Sequence, residues 1–285
     1  MRRRVMAALA AWLAATTMAA AQTPATVERG RYLVETIVAC GNCHTPKGPQ
    51  GDLPNMALAG GFVIDEKPFT AVAPNITPDP DTGIGKWTDE QLFLAIREGK
   101  RPDGSLIGPP MPYFFYRQLA DDDVRAMIAY LRTVKPIRNA VTQKSVYRIK
   151  LPPAWGPPVG TIKAPPRGDR LAHGAYLAGP LGHCLECHTP LRPDFMLDLT
   201  KLGAGGQAFT GPWGTSVAAN ITPHKDVGLA DWKDAEIERA IRTGVSKDGR
   251  KLFPPMAYPY YARIDKEDMA ALIAYLRSLP PSRVE

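Results

Sequence analysis

The sequence predicts an all-α protein built from two tandem copies of one helical unit. Three observations carry this reading. The second half of the 285-residue chain repeats the first: Gly30, Tyr32, Leu33 and Cys40 return as Gly174, Tyr176, Leu177 and Cys184, displaced by 144 positions. From residue 59 onward the displacement is 145, so that Asn75, Trp87 and Met111 match Asn220, Trp232 and Met256. A repeat of this length is a pair of domains, because solenoid units run only about 20–50 residues. Within each copy the apolar spacing reads as helices and loops, with no convincing strand alternation. Between the copies lies a segment without a counterpart, marked by the pairs Pro152-Pro153, Pro157-Pro158 and Pro165-Pro166, which reads as a semi-rigid, extended connector. The expected organisation is a first domain over 23–138, a basic connector over 139–167 and a second domain over 168–281, with one core in each domain.

Residues 1–21 read as a signal peptide. Arg2, Arg3 and Arg4 precede an apolar stretch over 5–15, and Ala19, Ala20 and Ala21 supply the small residues for cleavage near Ala21-Gln22. The apolar stretch is shorter than the ~20 residues a spanning helix needs, so the mature chain is expected to be secreted to the periplasm without a transmembrane segment. A first helix is predicted over 26–39, running into the turn at Cys40. A second is predicted over 89–98, where Thr88 and Gln91 are spaced as a capping box and Gly99 is the stop. Lys233 replaces Thr88 in the second copy, leaving Asp231 as a weaker cap. A third helix begins after Leu119, with Asp121, Asp122 and Asp123 at its positive end, and stops before Pro136; its equivalent stops before Pro280.

Composition narrows the function. Hydrophobic residues make up 45% and charged residues 22%, as in ordinary globular proteins, while 29 prolines favour long loops. The formal charge of +7 falls to +4 without the three signal arginines. Residues 22–140 carry 13 basic and 14 acidic side chains, and residues 168–285 carry 14 of each. The excess sits on Lys144, Arg148, Lys150, Lys163 and Arg167 of the connector. With neither domain basic and no nucleic-acid motif present, nucleic-acid binding is excluded.

The chemistry lies in two CxxCH motifs, Cys40, Cys43 and His44, then Cys184, Cys187 and His188. Each sets two thiols one helical turn apart with an imidazole directly after them. That arrangement suits thioether bonds to two haem vinyl groups and a proximal iron ligand from the same turn. A four-thiolate zinc site needs its pairs about 15–20 residues apart, whereas Cys43 and Cys184 are 141 positions apart. Disulfides, or redox-active CxxC pairs, leave the twice-repeated histidine unexplained. Two covalently bound haem c groups are expected.

These motifs, each followed by a Pro-Pro-Met stretch ending at Met111 or Met256, resemble class I cytochromes c. The Asn-Ile-Thr-Pro stretches at Asn75 and Asn220, and the Trp87 and Trp232 helices ending Ala-Ile-Arg-x-Gly, make the chain similar to the multihaem cytochrome subunits of periplasmic alcohol, aldehyde and gluconate dehydrogenases. The resemblance implies a few helices wrapped around each haem, a periplasmic dehydrogenase as electron donor, and a membrane-bound or soluble electron acceptor.

Methionine is usually adaptable core filler, and Met127, aligned with Leu272, reads that way. Met111 and Met256 differ, since each recurs on a proline-stiffened loop downstream of its own CxxCH. They are the expected sixth ligands, giving the pairs His44/Met111 and His188/Met256. His173, His183 and His224 have no histidine counterparts and read as surface or structural residues. Trp87, Trp232, Asn75, Asn220, Arg97 and Arg242 are secondary candidates for hydrogen bonds to haem propionates, and Tyr32 and Tyr176 for helix packing. A thioether ligand favours ferrous iron and fills the position a substrate would need, so no catalytic residue is expected and the haems read as relays. The rival reading is a haem enzyme. A dihaem peroxidase needs an open position at one haem, and a cysteine-ligated thiosulfate-oxidising cytochrome needs a spare thiol; the sequence offers neither.

Overall fold

The computed structural model describes residues 23–211 and 213–284. The expected signal segment, with its cleavage site at Ala21 and Gln22, lies outside the described residues. The ten helices described are α1 (Pro24–Tyr32), α2 (Cys40–His44), α3 (Asp89–Glu98), α4 (Tyr113–Tyr116) and α5 (Asp121–Leu131), then α6 (Arg170–Tyr176), α7 (Cys184–Cys187), α8 (Asp234–Thr243), α9 (Tyr258–Tyr261) and α10 (Lys266–Ser278). The second five follow the first five in order and relative position, as the repeat requires.

The all-α expectation needs correcting, because three small antiparallel sheets accompany the helices among the described residues. They are β1 (Lys47–Gly48) with β2 (Gly51–Asp52), β3 (Val63–Glu66) with β4 (Phe69–Val72) and β5 (Val146–Tyr147), and β6 (Ala208–Gly211) with β7 (Gly214–Val217). No strand exceeds four residues, too short for a period-2 pattern to register. The local signals were β-branched and aromatic residues beside turn formers: Glu66 pairs with Phe69, leaving Lys67 and Pro68 as the hairpin turn.

Helix ends follow side-chain chemistry. Thr88 caps α3, accepting from the Gln91 amide at 3.1 Å while Gln91 accepts from the Thr88 amide at 2.9 Å, and Gly99 ends the helix at φ 67°. In α8 only half of this box survives: Glu236 accepts from the Lys233 amide at 2.7 Å. Lys233, not Asp231, holds the capping position, and its ammonium can only donate, so the N3 amide gains no side-chain acceptor.

Two glycines set the helix crossings. Gly30 of α1 lies against the Ala126 backbone of α5, where a Cβ would stand 2.8 Å from the Tyr130 Cβ. Gly174 of α6 meets Ala271 of α10 in the same way, 2.8 Å from the Tyr275 Cβ. At the far end of α5, Arg132 binds Asp89 at 2.9 Å, the Ile84 carbonyl at 3.2 Å and the Trp87 carbonyl, tying the start of α3 to α5. Arg277 of α10 repeats the clamp on Asp234, Leu229 and Trp232.

The buried residues of both copies join one hydrophobic cluster, running from Leu33, Ile37 and Met127 to Leu177, Leu272 and Leu276, where the sequence alone implies one core per copy. Reciprocal hydrogen bonds explain the continuity. Tyr32 donates across to Asp268 at 2.7 Å, and Tyr176 donates across to Asp123 at 2.8 Å. Each carboxylate is also held within its own copy, Asp123 by Arg29 at 2.9 Å and Asp268 by His173 at 2.7 Å. Tyr32 and Tyr176 therefore do more than pack helices, and His173 is a buried structural residue. Tyr32→Phe and Tyr176→Phe, each removing a donor from a carboxylate, are expected to cost about 1.5–3 kcal/mol apiece, read as a lower urea midpoint.

The connector runs extended, as its prolines dictate, but it is bonded along the first copy. Its extended backbone has no partners of its own, so its polar groups find them on the neighbouring surface. β5 joins β4, Trp155 stacks on Tyr113 at 5.8 Å, the Asp121 amide donates to the Ile162 carbonyl at 3.0 Å, and the Ile162 amide donates to the Asp121 carboxylate at 3.0 Å.

Candidate haem-binding sites

Both CxxCH turns are entered in the same way. After α1 and after α6 the chain makes one π-helical turn, Leu33–Ile37 or Leu177–Leu181. The residue before the first cysteine then adopts a left-handed conformation, Ala39 at φ 51° and His183 at φ 37°. That conformation costs a non-glycine residue roughly 1–2 kcal/mol and ends the preceding helix, so that α2 and α7 start afresh in a new direction. Cys40 and Cys43 occupy one turn of α2, and Cys184 and Cys187 one turn of α7.

The histidines are buried, each 8% exposed. His44 Nδ1 lies 2.9 Å from the Pro74 carbonyl, and His188 Nδ1 lies 2.6 Å from the Ala219 carbonyl. A carbonyl can only accept, so Nδ1 carries the proton and Nε2 keeps its lone pair. Burial lowers both imidazole pKa values, against the opposing effect of the carbonyl bond. Each ring is thus neutral, oriented by an outer partner, and has one nitrogen free for a metal.

None of the four cysteines is paired in a disulfide. Burial pushes Cys40 and Cys184 up to about 12 and Cys43 up to about 11. Cys187 is raised well above the ordinary range, by burial first and then by Glu186, Cys184 and Cys43. No cluster of three or more His, Cys, Asp or Glu fit to hold a metal occurs among the described residues, so the two cysteine pairs do not meet in one thiolate site. The donor set fits thioether attachment rather than a thiolate site.

Met111 and Met256 stand on the proline loops before α4 and α9, half-buried against the cluster that also receives Cys40 and Cys184. Met127 is 1% exposed and is core. The secondary candidates also make structural bonds. Asn75 spends its amide on the Ile137 carbonyl at 2.8 Å and its oxygen on the Thr77 amide at 2.9 Å, and Asn220 does the same with Ser282 and Thr222. Arg97 is 1% exposed and bonded to Asp121 and the Gly160 carbonyl, while its buried Nε has no partner; Arg242 binds Glu238 and the Ile264 carbonyl, both at 2.7 Å. The Trp87 and Trp232 rings pack against the cluster. Sequence reading passed over Tyr113, two residues after Met111, whose buried hydroxyl has no partner. The carbonyls of Pro74 and Ala219, which orient the histidines, were also missed, because a backbone acceptor leaves no mark on residue identity.

This constellation is that of a c-type cytochrome. The Cytochrome c family matches residues 27–135. The chain is 33% identical to the diheme cytochrome c-type of Cereibacter sphaeroides, over 85% of this chain and 82% of that protein. It is also 33% identical to the fructose dehydrogenase cytochrome subunit of Gluconobacter japonicus and to the alcohol dehydrogenase (quinone) cytochrome c subunit of Gluconobacter oxydans (strain 621H), over 93% and 90% of this chain. It spans about half the length of these two relatives, 54% and 55%. The chain belongs to the c-type cytochromes.

Proposed function

We propose that this chain is a periplasmic dihaem cytochrome c that takes electrons from a partner dehydrogenase and passes them to a respiratory acceptor. In this reading Cys40 and Cys43 hold one haem c, and Cys184 and Cys187 a second. Each thiol adds its sulfur to one carbon of a vinyl group and its hydrogen to the other. His44 with Met111 and His188 with Met256 complete the iron coordination, and the haem iron supplies one-electron chemistry. The observation that carries the proposal is the twice-built turn in which a buried imidazole, anchored through Nδ1, keeps Nε2 free beside two neutral thiols. The unpartnered Tyr113 hydroxyl fits a propionate at the first site. A dehydrogenase donor is supported by the relatives, which are cytochrome subunits of fructose, alcohol and gluconate dehydrogenases. No helix among the described residues is long and apolar enough to cross a membrane.

The two halves are near neutral, and two of the five connector cations are engaged: Arg148 bonds Thr70 at 2.8 Å, and Arg167 bonds Asp265 at 3.0 Å. Docking therefore depends little on long-range charge. The test is to mix the oxidised, haem-loaded protein with a quinone-dependent dehydrogenase and its substrate and follow haem reduction. Reduction is expected, its rate falling only modestly as salt rises to about 0.1 M, where the screening length is ~10 Å. A rate lost by orders of magnitude would mean that exposed charge governs docking, and no reduction by fructose, alcohol or gluconate dehydrogenases would contradict the donor class.

A further inference from the structure

The two sites touch through residues that belong to neither ligand set. Asn42, inside the first CxxCH turn, donates from Nδ2 to the Pro255 carbonyl at 3.2 Å, and Pro255 immediately precedes Met256. Beside it, Gly41 lies against Tyr260 of α9, where a Cβ would meet the hydroxyl and come within 3.0 Å of the ring, so the contact needs glycine. The Tyr260 hydroxyl donates in turn to Asp52 of β2 at 2.5 Å. The loop carrying Met256 is thus held by the first half on both sides of the methionine, at Pro255 and at Tyr260.

The opposite contact lacks these bonds. Glu186 stands in the second motif where the first has Asn42, and a carboxylate has no hydrogen to donate. It lies instead against His183 at 3.1 Å. Phe115 stands where the second copy has Tyr260 and carries no hydroxyl. The first methionine loop meets the second half through ring packing, with Tyr116 edge-on to His183 at 5.9 Å between centroids.

We propose that the first CxxCH turn is a one-way clamp on the second methionine loop, making Asn42 and Tyr260 positioning residues for Met256. The inference rests on Met256 being the second axial ligand. It makes the second methionine harder to displace than the first, and it makes residue 42 act on the far site.

The test uses the oxidised dihaem protein titrated with imidazole, which competes for the position held by methionine, with loss of the iron–thioether charge-transfer absorption as the signal. The phase missing from Met256→Ala belongs to the second site. Asn42→Ala and Tyr260→Phe are each expected to raise imidazole affinity in that phase about fivefold, the effect of losing one hydrogen bond. Asn42→Gln keeps the donor and is expected to restore most of the difference. Intact mass confirms loading with two haems, and amide exchange over 256–260 in the same samples is expected to quicken in Asn42→Ala. Unchanged second-site affinity with unchanged exchange, or an effect confined to the first site, overturns the clamp. Persistence of both phases in Met256→Ala overturns the ligand reading itself, a result separable from the Asn42 outcome.

Discussion

Met111→Ala and Met256→Ala are each expected to convert one haem from low-spin to high-spin and to lower the potential of that site alone. The thioether is a neutral, soft ligand that favours ferrous iron; without it the position opens to water or added ligand, and the ferric state gains. The expected fall exceeds about 60 mV, a tenfold change in a one-electron equilibrium. The two methionines stand on corresponding loops but in different surroundings, the first loop meeting the other half through the rings of Tyr116 and His183, the second held against the CxxCH turn of the other half by Asn42. Each substitution should therefore leave the other haem's spectrum intact. Potentiometric titration followed in the visible region separates the sites. An unchanged spectrum and potential in either variant would contradict that ligand assignment, and a high-spin haem in the unsubstituted protein would revive a haem enzyme with an open position.

Replacing Cys40 and Cys43 together by alanine is expected to remove one covalent haem per chain and leave the other in place. The second turn makes its own backbone bonds, with the His188 amide on the Cys184 carbonyl at 3.0 Å and the imidazole on Ala219, and none of these depends on the first pair of thiols. The covalent haem absorbance that survives acid–acetone extraction should fall by half. Stability should fall as well, because Cys40 packs against a cluster shared by both halves, and an unfilled haem cleft leaves apolar side chains without neighbours. Retention of the full covalent absorbance would place the attachment elsewhere.

Much of this was legible in the sequence because the chain states it twice. CxxCH, Pro-Pro-Met, Gly30 with Gly174 and Arg132 with Arg277 recur at matching positions; the structure enters both CxxCH turns alike, sets both glycines at helix crossings and gives both arginines the same clamp. The α3 capping box and its Gly99 stop were readable because they depend on chemistry within four residues. The short sheets were not, since four-residue strands such as Phe69–Val72 carry too little pattern. The contacts between halves were hidden for a different reason. Tyr32 and Asp268 are 236 positions apart, and both members of each pair have bland local readings, a packing tyrosine and a helix-start carboxylate. Asn42 sits at a variable position of the motif, and its partner is a backbone carbonyl, which no residue pattern records.

Intact mass of the purified mature chain, measured after acid–acetone treatment has stripped any unattached haem, tests the central claim most directly. The expected mass is that of the polypeptide plus two haem groups, with all four cysteines resistant to thiol alkylation. A mass showing one haem, or none with the thiols free or oxidised, would contradict it.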